Sequence, residues 1–164
     1  VAIDPPASSG KSSDACGIVV AGIDENGIAH VLADETMNMA KPHQWARRAI
    51  ALYHSFEADA VLAEVNQGGE MVAAVLAAED ATVPVLMRRA SRGKWLRAEP
   101  VAALYEQGRV RHTGRFAALE DEMCDFAPEG LSNGRSPDGL DALVWALTEL
   151  MLGGERKPRI RRFG

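Results

Sequence analysis

Cysteine is scarce in this chain of 164 residues, which contains only Cys16 and Cys124. The two thiols lie far apart and form no CxxC pair, so the sequence predicts neither a disulfide scaffold nor a cysteine-based zinc site. We therefore expect a protein of a reducing compartment such as the cytoplasm.

Long hydrophobic runs and a basic-then-apolar leader are also missing. No uncharged apolar stretch approaches the roughly 18 residues that a membrane-spanning helix needs, so we expect a soluble, non-secreted chain with no membrane partner. The first residue is Val1 rather than methionine, which suggests a domain cut from a longer protein.

Compositional extremes are absent as well. Hydrophobic residues make up 47% of the chain and charged residues 25%, and there are only 8 prolines. These values argue against disorder, collagen-like repeats and low-complexity assembly. A chain of this length is expected to fold as one domain around one core.

Charge is distributed unevenly, although the net charge is −5. The segment 88–115 carries eight basic residues against two acidic ones, and the tail 153–164 carries five against one. This asymmetry predicts a basic surface suited to phosphate groups and an acidic site elsewhere. For the tail, a flexible linker is the alternative, because Gly153, Gly154 and Pro158 favour one.

The spacing of apolar residues predicts three strands followed by alternating helices and strands. The first strand covers 1–3, and Asn26-Gly27 is a hairpin-turn signal between strands at 15–23 and 28–33. Pro42 begins a helix over 42–57. The other elements are strands at 60–64 and 83–87, a possible short strand at 109–112, and helices around 71–76, 95–105, 116–123 and 140–150. This order predicts an α/β fold whose mixed five-stranded sheet, three antiparallel strands and then two parallel ones, is flanked by helices.

Gly10-Lys11-Ser12 has the ending of a phosphate-binding P-loop, but its surroundings do not fit that motif. The leading glycine of the motif would stand where Pro5 is, and proline has no N–H to donate. The residues after Ser12 are typical of a strand rather than of the helix whose N-terminus would face the phosphates. We interpret the segment as a connection between strands, with Lys11 available to a phosphate backbone.

Four acidic residues interrupt apolar sequence where strands end or a helix begins. Asp4 ends the first strand, Glu64 ends the fourth, and Asp138 and Asp141 open the last helix. A carboxylate at the end of a central strand is poorly solvated and needs a compensating cation. Converging oxygen ligands suit Mg²⁺ or Mn²⁺, and two-metal phosphodiester hydrolysis is the chemistry that uses them.

These acids also have structural interpretations. Asp4 precedes two prolines and is compatible with a turn, and Asp138 lies where a carboxylate complements a helix dipole. Asp141 flanks the apolar stripe of its helix. Asp14 is either a neighbour of the site or a surface residue, and the acidic run 120–122 is expected on a solvated helix face.

Five short motifs follow one another along the chain. They are VAIDPP (1–6), DACGIVV (14–20), VLAEVNQGG (61–69), RGK with RAEP (92–100), and SPDGLDALVWA (136–146). Together they resemble the C-terminal nuclease domain of the large terminase subunit of tailed phages and gene-transfer particles. The resemblance extends to about Leu152, so we expect a nuclease domain over 1–152 and a basic tail over 153–164.

The resemblance implies an RNase H-like fold and a divalent-metal-dependent endonuclease that cuts concatemeric double-stranded DNA during genome packaging into phage-like heads. It implies that Asp4, Glu64 and Asp138 or Asp141 bind two Mg²⁺ or Mn²⁺ ions. The residues expected to contact DNA are Arg88, Arg89, Arg92, Lys94 and Arg97. The implied partners are the portal, the small terminase subunit and an N-terminal packaging ATPase domain in the full-length protein.

The last motif departs from the family pattern. Many members have His-Asp-Asp where this chain has Ser136-Pro137-Asp138, which leaves either Asp138 or Asp141 to complete the site. The four acids also look like the pattern of RuvC-type Holliday junction resolvases, so a junction resolvase is an alternative function. A non-catalytic module that docks on DNA or on a portal is a third interpretation.

Overall fold

A computed structural model of the protein describes residues 1–6, 15–65 and 69–153. Three sequence interpretations therefore fall outside the described residues. They are the connection with Lys11, the role of Asp14, and the basic tail, of which only Gly153 is described.

In the part of the chain that the structure describes, six strands form one mixed sheet. They are β1 (Ala2–Asp4), β2 (Gly17–Ile23), β3 (Ala29–Asp34), β4 (Val61–Glu64), β5 (Val85–Arg88) and β6 (Val110–His112). Their order across the sheet is β5-β4-β1-β2-β3-β6. As predicted, β1, β2 and β3 pair antiparallel, whereas β4 and β5 join in parallel on the side of β1.

The predicted number of five strands was one too few. The sequence predicts only a possible short strand at 109–112, and residues 110–112 form β6, which pairs in parallel with β3 from Ala29 to Val31. A strand of three residues is too short to show an alternating pattern, so its place in the sheet comes from the partner strand rather than from its own sequence.

Five α-helices among the described residues flank the sheet. They are α1 (Pro42–Ser55), α2 (Gly69–Glu79), α3 (Lys94–Glu106), α4 (Ala117–Asp125) and α5 (Asp138–Leu147), and α5 continues into a π-helical turn at Thr148–Leu152. Pro42 occupies the first turn of α1, as predicted. No helix among the described residues is both long and apolar enough to cross a membrane.

Alternating residues of the central strands face two helical layers. Ile18 and Val20 pack in the core formed with α1 and α2, whereas Val19 packs in the core formed with α3, α4 and α5. Helix α5 lies across β1 and β2, and all ten of its residues are buried. The first turn of α5 is therefore held against the middle of the sheet.

Candidate active site

Four acidic side chains meet at one edge of the sheet. β1 and β4 are parallel neighbours, so their last residues, Asp4 and Glu64, lie at the same edge. Helix α5 brings Asp138 and Asp141 to that edge on its first turn. Oxygens of Asp4, Glu64 and Asp141 lie within 4.8 Å of one another, and all four acids are buried.

A glycine allows α5 to approach the sheet this closely. Gly17 of β2 pairs with Asp4 across the antiparallel ladder. A Cβ on Gly17 would lie 1.9 Å from the carbonyl oxygen of Asp138 and 2.5 Å from its carbonyl carbon. Both are backbone atoms of α5, so only glycine fits at this position.

The first turn of α5 is capped by a side chain of another helix. Pro137, which precedes α5, supplies no capping hydrogen bond. Instead, the backbone N–H of Leu140 donates to Oε2 of Glu122 on α4 at 2.9 Å. The expectation that the run 120–122 is simply solvated was wrong for Glu122, because α4 packs against α5 and turns this carboxylate toward the helix terminus.

Two cations lie among the acids. The ammonium of Lys94 donates to Oδ2 of Asp4 at 3.2 Å and to Oγ of Ser136 at 2.9 Å. It also lies 3.1 Å from Oδ2 of Asp141 and 3.5 Å from Oδ1 of Asp138. This ammonium is therefore shared by three carboxylates.

Arg97, one turn later on α3, joins Glu64 to Asp141, the acid that also contacts Lys94. Its guanidinium donates to Oε2 of Glu64 at 3.2 Å and to Oδ2 of Asp141 at 3.0 Å, and it lies 4.9 Å from the centroid of the Trp145 ring. The indole Nε1–H of Trp145 donates to Oε2 of Glu64 at 2.6 Å. The sequence prediction missed Trp145, although its position one turn after Asp141 on the same helix is a signal that it faces the site.

The five residues predicted to contact DNA fall into separate environments. Lys94 and Arg97 pair with the acids. Arg88 donates from Nε and Nη2 to the carboxylate of Glu149, at 3.1 and 3.0 Å. Arg89 and Arg92 are exposed, so these two present their charge to solvent.

This arrangement occurs in a chain that matches a known family along nearly its whole described length. The family model of the terminase RNase H-like domain matches residues 1–150 of the sequence. The chain belongs to the terminase RNase H-like domain family. A search of curated proteins found no match.

Two solved structures have a similar fold. The yeast mitochondrial Holliday junction resolvase Ydc2 superposes with a TM-score of 0.56 at 13% identity, over 92% of this chain and 76% of the resolvase. The large terminase nuclease of thermophilic phage G20c, solved with bound cobalt, gives a TM-score of 0.55 at 18% identity, over 91% of this chain and 93% of the nuclease. At these identities the likeness shows the fold alone.

Two predictions from the sequence are thus confirmed. The fold is RNase H-like, with a mixed sheet flanked by helices. Membership of the terminase family makes the domain a nuclease, an enzyme that hydrolyses DNA phosphodiester bonds, and the clustered acids fit a dependence on divalent metal. The roles of individual residues stay predictions.

Burial and the repulsion between neighbouring carboxylates shift the pKa values of the acids at this site. Burial raises the pKa of Asp4 to about 8; Lys94 opposes this rise, and the neighbouring carboxylates add to it. Burial likewise raises the pKa of Asp141 to about 6. Burial also disfavours the charged form of Glu64, but hydrogen bonds from Asp141 and Trp145, together with Arg97, outweigh it and hold the pKa of Glu64 below its usual range.

The pKa of Asp4 predicts how metal-free stability changes with pH. The folded state raises this pKa from 3.8 to about 8, so between these values the folded protein holds a proton that the unfolded chain has released. Asp4 therefore makes the folded state less stable as pH rises through this window, by about 1.4 kcal/mol for each unit of pKa difference. Asp4→Asn removes this cost, so its stability relative to the unsubstituted domain should rise over the same window.

Urea unfolding in EDTA at pH 5, 7 and 9 measures this difference. Asp121→Asn, a change at an exposed aspartate of α4, is the matched control and should show no such trend. A difference between Asp4→Asn and the unsubstituted domain that stays constant with pH would contradict the prediction.

Proposed function

We propose that this domain is an endonuclease that cuts concatemeric double-stranded DNA during genome packaging into phage-like heads, using two Mg²⁺ or Mn²⁺ ions. The observation that carries the proposal is the convergence of Asp4, Glu64 and Asp141, whose oxygens lie within 4.8 Å of one another although they come from three separate elements. Such a group lowers the stability of the fold, because buried like charges are costly. A metal-dependent reaction accounts for its presence.

The donor set fits hard divalent cations. Every acid offers carboxylate oxygens, the ligands that Mg²⁺ and Mn²⁺ prefer. Burial raises the pKa of Asp4, and the three neighbouring carboxylates raise it further although Lys94 opposes the rise. Asp4, Glu64 and Asp141 would hold one ion, and Asp138 would complete the set for a second. When bound, such ions supply an activated water as nucleophile and stabilise the leaving oxygen of the phosphodiester.

The remaining residues fix these carboxylates in place. Trp145 donates to Glu64, and Arg97 bridges Glu64 to Asp141, so two ligands from different elements are held at a set separation. Glu122 caps the helix that carries both aspartates. Pre-set ligand positions are valuable because misplacement by about 1 Å commonly costs a hundredfold in rate.

Exposed arginines lie at the same edge of the sheet as the acids and would bind the DNA backbone. β1, β3, β4, β5 and β6 all run in one direction, since β1 and β3 are each antiparallel to β2 and the others pair in parallel. Arg89 and Arg92 follow β5, Arg115 follows β6, and Arg135 precedes α5; all four are exposed. Arg109 precedes β6 and belongs to the opposite edge.

Because phosphate contacts carry little sequence information, cleavage should be weakly sequence-specific and strongly salt-sensitive.

Membership of the terminase family supports the packaging role. In the full-length protein, the domain would follow a packaging ATPase domain and work with the small terminase subunit and the portal, in the cytoplasm of the host or producer cell. We place the nuclease domain at 1–152, and the family match ends at 150. The tail from 153 onward is proposed as an additional basic segment for DNA.

Plasmid cleavage tests the enzymatic part of the proposal. Supercoiled plasmid incubated with the domain and Mn²⁺ should be nicked and linearised, and EDTA should stop the reaction. Raising the salt concentration from 50 to 200 mM should reduce cleavage by at least roughly tenfold if several phosphate contacts are made. Absence of cleavage at every Mg²⁺ and Mn²⁺ concentration, with metal-independent DNA binding intact, would instead favour a docking module.

A junction resolvase is the second candidate. It is favoured by the burial of both Asp138 and Asp141 at the site, the acid pair that the sequence shares with RuvC-type resolvases. Cleavage of a four-way junction and of a linear duplex of the same sequence, at equal concentrations, separates the two functions. A clear preference for the junction supports the resolvase, whereas equal or faster cleavage of the duplex supports the terminase function.

A further inference from the structure

The ammonium of Lys94 lies in the middle of the acidic cluster. Its ammonium is within 3.5 Å of oxygens from Asp4, Asp138 and Asp141. These are three of the four carboxylates proposed as metal ligands. A cation in this place neutralises the same oxygens that a divalent ion would need.

The two site cations differ in how firmly they are held. Arg97 is 11% exposed, bridges Glu64 and Asp141, and stacks on Trp145. Lys94 is 33% exposed, has no aromatic ring against it among the described contacts, and ends in a flexible chain that keeps a strongly hydrated charge. Of the two, Lys94 is therefore the cation that can move away from the carboxylates.

Lys94 is partly open to solvent and lies close in the chain to exposed arginines. Lys94 is the first residue of α3, and it follows the loop that carries the exposed Arg89 and Arg92. A phosphate bound by this loop offers the ammonium an alternative anionic partner. The carboxylates themselves are far less exposed, with side-chain values of 12% for Asp4, 7% for Asp138 and 2% for Asp141.

We infer that Lys94 is an exchangeable internal counter-ion, which competes with divalent metal for Asp4, Asp138 and Asp141 and moves to a DNA phosphate when metal binds. The inference rests on the proposed function and adds its regulation. DNA that draws Lys94 away favours metal binding, and metal that displaces Lys94 favours DNA binding. These two effects are equal in size, because coupling between two ligands is reciprocal.

Manganese titration by calorimetry, with the domain free of DNA, tests the competition. Lys94→Met keeps an unbranched side chain that is one atom shorter and removes its charge. Mn²⁺ should therefore bind the variant about tenfold or more tightly than the unsubstituted domain, as expected when a close cation is removed from partly buried ligands. Lys41→Met is the matched control, since Lys41 is an exposed lysine next to α1 on the opposite face of the sheet. It should leave the Mn²⁺ affinity unchanged.

Melting temperatures provide a second readout that does not depend on activity. Without metal, Lys94→Met leaves three carboxylates without their shared cation and should melt below the unsubstituted domain, whereas saturating Mn²⁺ should remove this difference. If Lys94→Met does not fold without metal, Lys94→Gln is titrated instead and the same order of affinities is expected.

Addition of a short DNA duplex with cleavage-resistant phosphorothioate linkages tests the exchange. The duplex should tighten Mn²⁺ binding severalfold in the unsubstituted domain and have a smaller effect in Lys94→Met. Equal or weaker Mn²⁺ binding by Lys94→Met, or equal tightening by the duplex in both proteins, would overturn the inference while leaving the nuclease proposal intact. If Mn²⁺ binds neither the unsubstituted domain nor Lys94→Met, the nuclease proposal is overturned, and the inference with it.

Discussion

Asp141→Asn should lower metal-dependent DNA cleavage by roughly a thousandfold, because it removes a carboxylate that a catalytic ion needs. Oxygens of Asp141 lie within 4.8 Å of those of both Asp4 and Glu64, so no other described acid is placed to substitute for it in that group. The amide has nearly the same shape as the carboxylate and can still accept a hydrogen bond from Arg97. Initial rates of plasmid nicking, measured over a range of Mn²⁺ concentrations, give the size of the loss.

The stability of Asp141→Asn separates loss of chemistry from loss of fold. In EDTA the variant should be at least as stable as the unsubstituted domain, because one of several repelling buried charges is gone. Asp121→Asn, on the exposed part of α4, should keep full activity. Cleavage by Asp141→Asn within tenfold of the unsubstituted rate would rule out Asp141 as a required metal ligand.

Gly17→Ala should disrupt the site by pushing helix α5 away from strand β2. The new methyl group would lie 1.9 Å from the carbonyl oxygen of Asp138, and backbone atoms cannot yield as a flexible side chain does. The first turn of α5 must therefore move off β2 and carry Asp138 and Asp141 with it. We expect a loss of about 3 kcal/mol or more in the free energy of unfolding and a fall of roughly a hundredfold or more in cleavage rate.

Gly22→Ala on the same strand is the control for strand propensity and backbone entropy. A Cβ at Gly22 would meet only Cδ1 of Leu32, at 3.7 Å, which is an ordinary contact. Thermal and urea unfolding of the two variants, with the plasmid assay on each, measure the contrast. If Gly17→Ala is as stable and as active as Gly22→Ala, the close seating of α5 on β2 is not required.

The acids at strand ends were predictable because their signal is local. Asp4 and Glu64 each follow a short apolar strand, and the carboxyl ends of parallel neighbours meet at one edge of a sheet. Asp138 and Asp141 were predictable as a pair, since both lie on the first turn of a helix with an apolar stripe. The sequence alone did not separate them, whereas the structure groups Asp141 with Asp4 and Glu64 and leaves Asp138 joined to them through Lys94.

The residues that orient the site were not predictable, because their partners are distant in the chain. Lys94 and Arg97 belong to a basic segment whose charge count predicts a DNA surface, yet they pair with Asp4, 90 residues away, and with Glu64, 33 residues away. Glu122 stands in an acidic run with no sign that it caps α5. Gly17 lies in a strand-like run, and only the position of α5 explains it.

The central claim is that side-chain oxygens of Asp4, Glu64, Asp141 and Asp138 hold a pair of divalent ions. A crystal of the domain soaked in Mn²⁺, with anomalous scattering recorded at the manganese edge, tests this claim most directly. We predict manganese within about 2.0–2.6 Å of oxygens of Asp4, Glu64 and Asp141, a second ion in contact with Asp138, and the ammonium of Lys94 displaced from its present position. Manganese bound at other residues only, or these carboxylates directed to separate surfaces, would contradict the account.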